Sequence, residues 1–238
     1  SSDLLYDRGR RILACHYYAT HPMSFYGDGR VSSDFVGLAR KARQKEDPGC
    51  THLYFTGCAG NIAAGKYNDG SPASRVSLTG RMIRGIAAAE ASLRPEPIAD
   101  VAWRSRELRP AANPELGPAA LRELMEKPRD SLVTRLRPAF KLACLRRVER
   151  GDPFVLSALR LNAATALHLP AEPFIEFQLA AQAMRAGQPV AVAAYGDAGP
   201  WYIPTKTEFP AGGYEVEHAF LAPGTDDQIR DALRTLLA

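Results

Sequence analysis

Five stretches of the chain either alternate between hydrophobic and polar positions or are rich in β-branched and aromatic residues. Both patterns are typical of β-strands. They predict strands at residues 11–19, 51–56, 98–108, 154–167 and 190–195.

Between these strands, apolar residues recur at helical spacing. The pattern predicts helices at residues 34–46, 74–93, 119–127, 132–150, 173–186 and 226–237. Ser-Ser-Asp and Pro-Gly-Thr-Asp signals precede the first and the last of them, and Pro173 suits the first turn of the fifth. The fourth helix places an apolar row on one face: Leu132, Leu136, Phe140, Cys144 and Val148.

The order of these elements predicts the fold class. Helices and strands alternate at first, and two longer strands then follow around a helical pair. This order favours a mixed α/β (α+β) domain, with a layered β-sheet core flanked by helices. We expect residues 1–238 to form a single domain, with a proline-rich linker at 110–118 and a helical insertion at about 114–150.

Composition excludes several classes of function. A net charge of +4 with no basic run interleaved with aromatics argues against a nucleic-acid partner. No apolar stretch reaches the roughly 18–20 residues that span a bilayer. The four cysteines form no CxxC pair, so we expect buried small side chains rather than a zinc knuckle.

One helix face is basic and leaves two interpretations open. A solvated amphipathic face is the simpler one, and a peripheral contact with an anionic lipid surface is the other. The face consists of Arg135, Arg137, Lys141, Arg146, Arg147 and Arg150.

Three side chains at the edges of predicted elements are candidate metal ligands. His21 follows the first strand in the phrase Ala-Thr-His-Pro, and Glu172 directly precedes Pro173. Glu172 is equally well explained as a helix N-cap. Tyr202 follows a Gly-Asp-Ala-Gly-Pro loop and Trp201, and the alternative role for this tyrosine is packing rather than metal binding. The remaining histidines have no ligand-like spacing, and we expect them to be structural or exposed: His16, His52, His168 and His218.

A phosphate-binding motif is nearly complete at residues 60–66, which spell GxxxxGK after a strand. The motif requires Ser or Thr at its eighth position and a helix that begins there. Tyr67 occupies that position, and the following residues are typical of a turn. We therefore expect no nucleotide site, and interpret the glycines as a close approach of the backbone to a substrate.

In order along the chain, these phrases resemble the neutral (non-lysosomal) ceramidases, a family of zinc-dependent amidases. Ala-Thr-His-Pro is similar to the segment that carries the family's second zinc histidine, and residues 31–37 to its serine motif. Thr-Gly-Cys-Ala-Gly-Asn at 56–61 resembles its glycine-rich turn, and Pro-Ala-Glu-Pro-Phe at 170–174 the phrase that holds the zinc glutamate. The spacing from Tyr202 to Tyr214 matches that between the zinc-bound tyrosine and a second active-site tyrosine.

The resemblance implies a zinc ion held by His21, Glu172 and Tyr202, with Ser32 and Tyr214 as catalytic residues. Zinc lowers the pKa of a bound water to about 7, which permits attack on an amide carbonyl. Tyr214 would stabilise the oxyanion, and Ser32 would orient the scissile amide. The expected substrate is a small N-acyl amide or lipid, and a protein that follows the family is secreted or at the cell surface.

Two departures from the family pattern keep an alternative open. The serine motif continues with Ser33-Asp34-Phe35, where the family has Gly-Asp-Asn. The family's first zinc histidine and its C-terminal immunoglobulin-like domain have no counterpart here, so we expect the chain to be the second half of a catalytic domain. A non-catalytic homologue that kept the fold and lost turnover is the alternative function.

Overall fold

The computed structural model describes residues 1–25, 29–115, 117–127, 131–197 and 199–238, apart from the side chain of residue 133. The strands are β1 (Ser2–Asp7), β2 (Arg10–Tyr18), β3 (Thr51–Thr56), β4 (Val101–Leu108), β5 (Phe154–Leu161), β6 (Ala164–His168), β7 (Glu172–Pro173), β8 (Val190–Ala193) and β9 (Tyr202–Ile203). The helices are α1 (Asp34–Glu46), α2 (Pro72–Ser92), α3 (Pro118–Glu126), α4 (Leu132–Glu149), α5 (Ile175–Met184), α6 (Tyr214–Glu217) and α7 (Thr225–Leu237). A single 3₁₀ turn covers Gly65–Tyr67.

The strands form three sheets. In the first, β2 pairs antiparallel with β1 and parallel with β3. The second has the order β4-β5-β6-β8, antiparallel except for the parallel pair β6–β8. The third is the short parallel pair of β7 and β9. The backbone N–H of Ala194 donates to the carbonyl of Thr56 at 2.8 Å, which ties the end of β8 to the end of β3.

The main hydrophobic core packs α5 and α7 against the second sheet. Its largest fully buried side chains include Phe154, Leu156, Leu167, Phe177, Ile229 and Leu233. Phe174, which directly follows β7, and Ile203 of β9 belong to this core and are 5% and 3% exposed. The core therefore supports the short third sheet.

The mixed α/β class predicted from the sequence is confirmed, with helices on the faces of several sheets. Helices α3 and α4 pack against each other inside the region predicted as an insertion, although the domain division itself stays a prediction. None of the helices within the described residues is both long and apolar enough to cross a membrane.

Two strand predictions are corrected. The sequence pattern does not predict β1, a strand with four charged or hydroxyl-bearing side chains among its six residues. Residues 154–167 form the hairpin of β5 and β6 rather than one strand. The chain reverses at Asn162, whose φ of 52° is one that asparagine tolerates better than most residues.

Two helix predictions are also corrected. Helix α5 begins at Ile175 with Phe174 as its N-cap, so Glu172 and Pro173 lie in a strand and Glu172 does not cap a helix. The apolar row predicted for α4 is only half buried: Leu132, Leu136 and Phe140 are exposed. The reason is that α3 packs on the neighbouring row of α4, where Leu142 and Leu145 contact Leu121.

Candidate active site

His21 lies just beyond the end of β2 and is held by the loop after β3. Its backbone N–H donates to the carbonyl of Ile62 at 2.9 Å, and the two segments form a bridge between His21 and Ala63. The ring contacts the same carbonyl, with Nδ1 3.0 Å from Ile62 O. The other ring nitrogen, Nε2, lies 3.0 Å from Oε2 of Glu172. One backbone carbonyl thus fixes the orientation of the imidazole.

Glu172 and Tyr202 are brought together by the third sheet, in which they are paired residues. The N–H of Glu172 donates to the carbonyl of Trp201 at 2.9 Å. The preceding residues, Ala171 and Trp201, have φ values of 61° and 65°. Such values are uncommon for residues with a Cβ and cluster at functional sites. Each bend turns the following side chain, Glu172 or Tyr202, into its place on the short sheet.

Tyr202 is buried, at 7% exposure, and its ring centroid lies 6.4 Å from that of His21. Burial raises the pKa of its hydroxyl, and the charge of Glu172 raises it further. Without a cation, the phenol therefore stays protonated at neutral pH. A cation beside it would reverse the electrostatic part of this shift.

Both ring nitrogens of His21 face hydrogen-bond acceptors, the carbonyl of Ile62 and the carboxylate of Glu172. A neutral imidazole has only one N–H and can satisfy only one of them. The hydrogen bond with Glu172 accordingly raises the pKa of His21, which favours the imidazolium in the metal-free protein. A cation between Nε2 and the carboxylate would satisfy both groups with a neutral ring.

The donor set fits zinc. An imidazole nitrogen, a carboxylate oxygen and a phenolic oxygen are all zinc ligands or close analogues of them. Metal-bound histidines usually donate their second N–H to a carbonyl or carboxylate, as Nδ1 of His21 can do to Ile62 O. Three protein ligands also leave room for a fourth position.

Tyr214 opens the short helix α6 and is about half exposed, at 48%. Its ring meets that of Tyr202 edge-on, with centroids 5.9 Å apart. His218 stacks on Tyr214 at 4.3 Å and meets Trp201 at 5.1 Å. Tyr214 therefore lies beside the ligand candidates with its ring held by neighbours. His218 is a site-lining residue, whereas the sequence predicted it to be structural or exposed. The Tyr-x-x-x-His spacing within one helical turn is the signal that indicates it.

Ser32 lies in a different environment. Its Oγ accepts a hydrogen bond from the N–H of Asp34 at 3.0 Å, which forms a tight turn at the start of α1. The carboxylate of Asp34 in turn accepts from Ser24 N at 3.0 Å and from Arg75 at 3.3 Å. Within the described residues no hydrogen bond joins Ser32 to His21 or Glu172. Because residues 26–28, just ahead of the motif, lie outside the described part, the role of Ser32 stays a prediction.

The glycine-rich loop at residues 60–66 does not form a phosphate site. Its last two residues lie in the 3₁₀ turn Gly65–Tyr67, and α2 begins only at Pro72. Gly60 instead lies against β7: its N–H donates to the carbonyl of Pro173 at 3.0 Å, and a Cβ there would be 2.5 Å from the carbonyl oxygen of Glu172. The close approach that the glycine permits is to the strand that carries Glu172.

A cavity of about 420 Å³ adjoins the segments on either side of His21. Thr20, Ile62 and Ala63 contribute to its wall, and buried apolar side chains from α1 and α2 line it more deeply: Phe35, Leu78 and Ile86. Lys66 and Arg81 also line it, both against the ring of Tyr67. The cavity can accept an apolar chain next to the His21 segment.

Comparison with known proteins identifies a structural likeness and no sequence match. No protein-family model and no curated protein matches the chain. Among solved structures, a ceramidase complexed with C2 matches with a TM-score of 0.70 and 14% identity. The neutral ceramidase from Pseudomonas aeruginosa matches with a TM-score of 0.67 and 16% identity. Each match covers 96% of this chain and 45% of the other. The chain therefore shares its fold with slightly less than half of the length of each of these two proteins.

Proposed function

We propose that the chain carries part of the active site of a zinc-dependent amidase that hydrolyses an N-acyl amide, as a ceramidase does. The observation that carries the proposal is the convergence of His21 and Glu172, whose Nε2 and Oε2 atoms lie 3.0 Å apart although the residues are 151 positions apart in sequence. Tyr202, paired with Glu172 across the short sheet, adds the third donor. The fold likeness to two ceramidase structures supports the same reading.

His21, Glu172 and Tyr202 would hold the zinc. Bound there, zinc would act as a Lewis acid and lower the pKa of a water to about 7. The Ile62 carbonyl keeps the Nε2 lone pair of His21 directed toward Glu172, because it accepts the proton on Nδ1. The chain's own contribution is thus a fixed set of donors that needs little rearrangement.

Tyr214 would act on the substrate. Its ring meets that of Tyr202 edge-on, and its hydroxyl would donate to the negative charge that develops on the carbonyl oxygen during attack. A pre-oriented donor of this kind typically contributes roughly 100–1,000-fold in rate. Ser32 would position the amide if residues of its motif approach the substrate.

The apolar cavity beside His21 supports an N-acyl substrate over a purely polar one. An acyl chain in contact with Phe35, Leu78 and Ile86 would leave water, at a gain of roughly 0.8 kcal/mol per buried methylene. The carbonyl end of that chain would then lie toward the His21 segment. We propose a lipid-like amide as the substrate class on this basis.

The test combines zinc content with turnover in the full-length protein. His21→Ala and Glu172→Gln are each expected to bind one equivalent of zinc less than the wild type and to lose hydrolysis of short- and long-chain N-acyl amides. His168→Ala is the matched control, because His168 is a half-buried histidine of the second sheet that contacts Ser157 and Trp103. Unchanged zinc content in both site variants would refute the metal assignment. Stoichiometric zinc without hydrolysis of any N-acyl amide would favour the non-catalytic homologue.

A further inference from the structure

The turn between α1 and β3 gathers a second group of ligand-type side chains, in the sequence Asp-Pro-Gly-Cys-Thr-His. One ligand atom each from Asp47, Cys50 and His52 lie within 4.8 Å of one another. His52 pairs with Ala14 in the first sheet, seven residues before His21 along the chain. At about 3.3 Å per residue the two groups are roughly 20 Å apart along the strands. This group is therefore separate from the candidate active site.

Two of the three side chains are inaccessible to solvent. His52 is 0% exposed and Cys50 is 1% exposed, whereas the side chain of Asp47 is 34% exposed. The contact of Cys50 Sγ with the Thr51 carbonyl at 3.7 Å is a weak one. The exposed edge at Asp47 gives an ion a path to two buried donors.

His52 has a ring nitrogen that the protein leaves without a partner. Its Nδ1 lies 2.9 Å from Nε2 of His16, but its Nε2 is buried and makes no hydrogen bond to any part of the chain that the structure describes. A buried polar atom of this kind costs about 1–3 kcal/mol, so it requires an explanation. A bound metal ion would explain it, because Cys50 and Asp47 place two further ligand atoms close to His52.

A chain of hydrogen bonds can orient this nitrogen as an acceptor. Nδ1 of His16 lies 2.8 Å from Oγ of Ser2, and Nε2 of His16 faces Nδ1 of His52. If both histidines donate from Nδ1, His52 is left with a lone pair on Nε2. Second ring nitrogens of metal-bound histidines are usually held in this manner.

The guanidinium groups of Arg11 and Arg43 contact Glu90 more closely than Arg11 contacts Asp47. Arg43 and Arg11 both contact Oε2 of Glu90, at 2.7 and 3.1 Å, while the contact of Arg11 with Asp47 is longer, at 3.4 Å. The other guanidinium at hand, Arg40, binds the backbone carbonyl of His52 rather than a ligand atom. A metal ion at Asp47 would therefore replace only the longer of the two ion pairs of Arg11.

We propose that Asp47, Cys50 and His52 form a second metal site, for zinc or an ion of similar ligand preference. Thiolate, imidazole and carboxylate are the donors that zinc takes in proteins, and three of them leave one position for solvent. Cysteine binds a metal ion as the thiolate, so binding releases a proton and strengthens as pH rises. The ion would fasten the α1–β3 turn to His16 of β2, the strand that leads to His21.

Cobalt is the probe that separates this site from the one at His21. A thiolate bound to Co²⁺ produces a charge-transfer absorption in the near ultraviolet, which a set of imidazole, carboxylate and phenol does not. The full chain and its His21→Ala/Glu172→Gln variant are titrated with Co²⁺ alone. Both are expected to show the thiolate band, and in the double variant, which retains only this site, it is expected to saturate at about one equivalent. Because the double variant lacks the first donor set, the result is independent of the proposed amidase function.

Cysteine and aspartate variants complete the test. Cys50→Ser is expected to abolish the band, whereas Cys15→Ser and Cys144→Ser, the matched controls, retain it. Asp47→Asn removes a partly exposed ligand without opening the core, and is expected to weaken Co²⁺ binding at least about tenfold. Absence of the band in the folded wild-type chain, or its persistence in Cys50→Ser, overturns the proposal. If Cys50→Ser does not fold, unchanged affinity in Asp47→Asn overturns it equally.

Discussion

Replacement of Gly60 by alanine tests whether the glycine-rich loop positions Glu172. The added Cβ would lie 2.5 Å from the carbonyl oxygen of Glu172 and 3.0 Å from the ring of Phe174. Ordinary contact begins at 3.4 Å, so the strand or the loop must retreat by about 0.9 Å. Gly60 has no left-handed φ, and the effect therefore comes from this contact alone.

The expected cost has two parts. Overpacking of this size lowers the free energy of unfolding by about 1–3 kcal/mol. A displacement of roughly 1 Å in a catalytic group can lower turnover about 100-fold. Both are expected in Gly60→Ala, measured by denaturant unfolding and by kcat/KM on an N-acyl amide, with zinc affinity as a third readout.

Gly65→Ala is the matched control, because it changes the other glycine of the same motif. Gly65 is exposed and a Cβ there would meet nothing within 4 Å. This variant is expected to match the wild type or to be slightly more stable, since alanine restricts the unfolded chain. Gly60→Ala with the stability and zinc affinity of Gly65→Ala would refute the role assigned to the loop.

Three further predictions concern charge, catalysis and packing. In metal-free protein, Glu172→Gln removes the contact that raises the pKa of His21, and a raised histidine pKa stabilises the fold only while the ring is protonated. The loss in free energy of unfolding should therefore be about 1.5 kcal/mol larger at pH 5.5 than at pH 9. An equal loss at both pH values would contradict this prediction. Tyr214→Phe should lower kcat about 100-fold or more at unchanged zinc content, and wild-type turnover would remove Tyr214 from the mechanism. Leu142→Ala should cost about 2–5 kcal/mol of stability in thermal or denaturant unfolding. Phe140→Ala, at a residue that is 61% exposed, should cost less than about 0.5 kcal/mol. A larger loss of stability in Phe140→Ala than in Leu142→Ala would mean that the apolar row predicted from the sequence is the buried one after all.

Local patterns predicted the elements whose boundaries carry their own signals. The bounds of α1 and β3 agree with the prediction, because a polar cap precedes the one and turn residues precede the other. The sequence predicts one strand for the hairpin of β5 and β6, because its strand-like pattern of side chains continues through the turn. The reversal lies at Asn162, where a glycine would have been a clearer turn signal. For α4, the spacing of apolar residues was sufficient to predict a helix. It did not predict which face of the helix is buried, because that depends on where α3 packs.

The candidate sites depended on different kinds of information. Family-like phrases singled out His21, Glu172 and Tyr202, and the structure brings the first two into contact and places the third beside them. The Asp47 turn had a compact signal, three ligand types within six residues, but no CxxC pair. What could not be predicted is the buried contact of His52 with His16, because it depends on the parallel register of two strands separated by a helix.

The geometry of the active-site candidates is imposed by the core rather than by the short strands that carry them. Positive φ values at Ala171 and Trp201 cost of the order of 1–3 kcal/mol each. The backbone hydrogen bonds of β7 and β9, from Glu172 N and Phe174 N, contribute only about 1 kcal/mol apiece. The difference is supplied by burial of Phe174 and Ile203 in the main hydrophobic cluster, at roughly 1.5–3 kcal/mol for each such side chain. That cluster also contains residues of α5 and α7. The convergence of His21, Glu172 and Tyr202 therefore requires the second sheet and these two helices to be folded, and no isolated stretch of the sequence could have specified it.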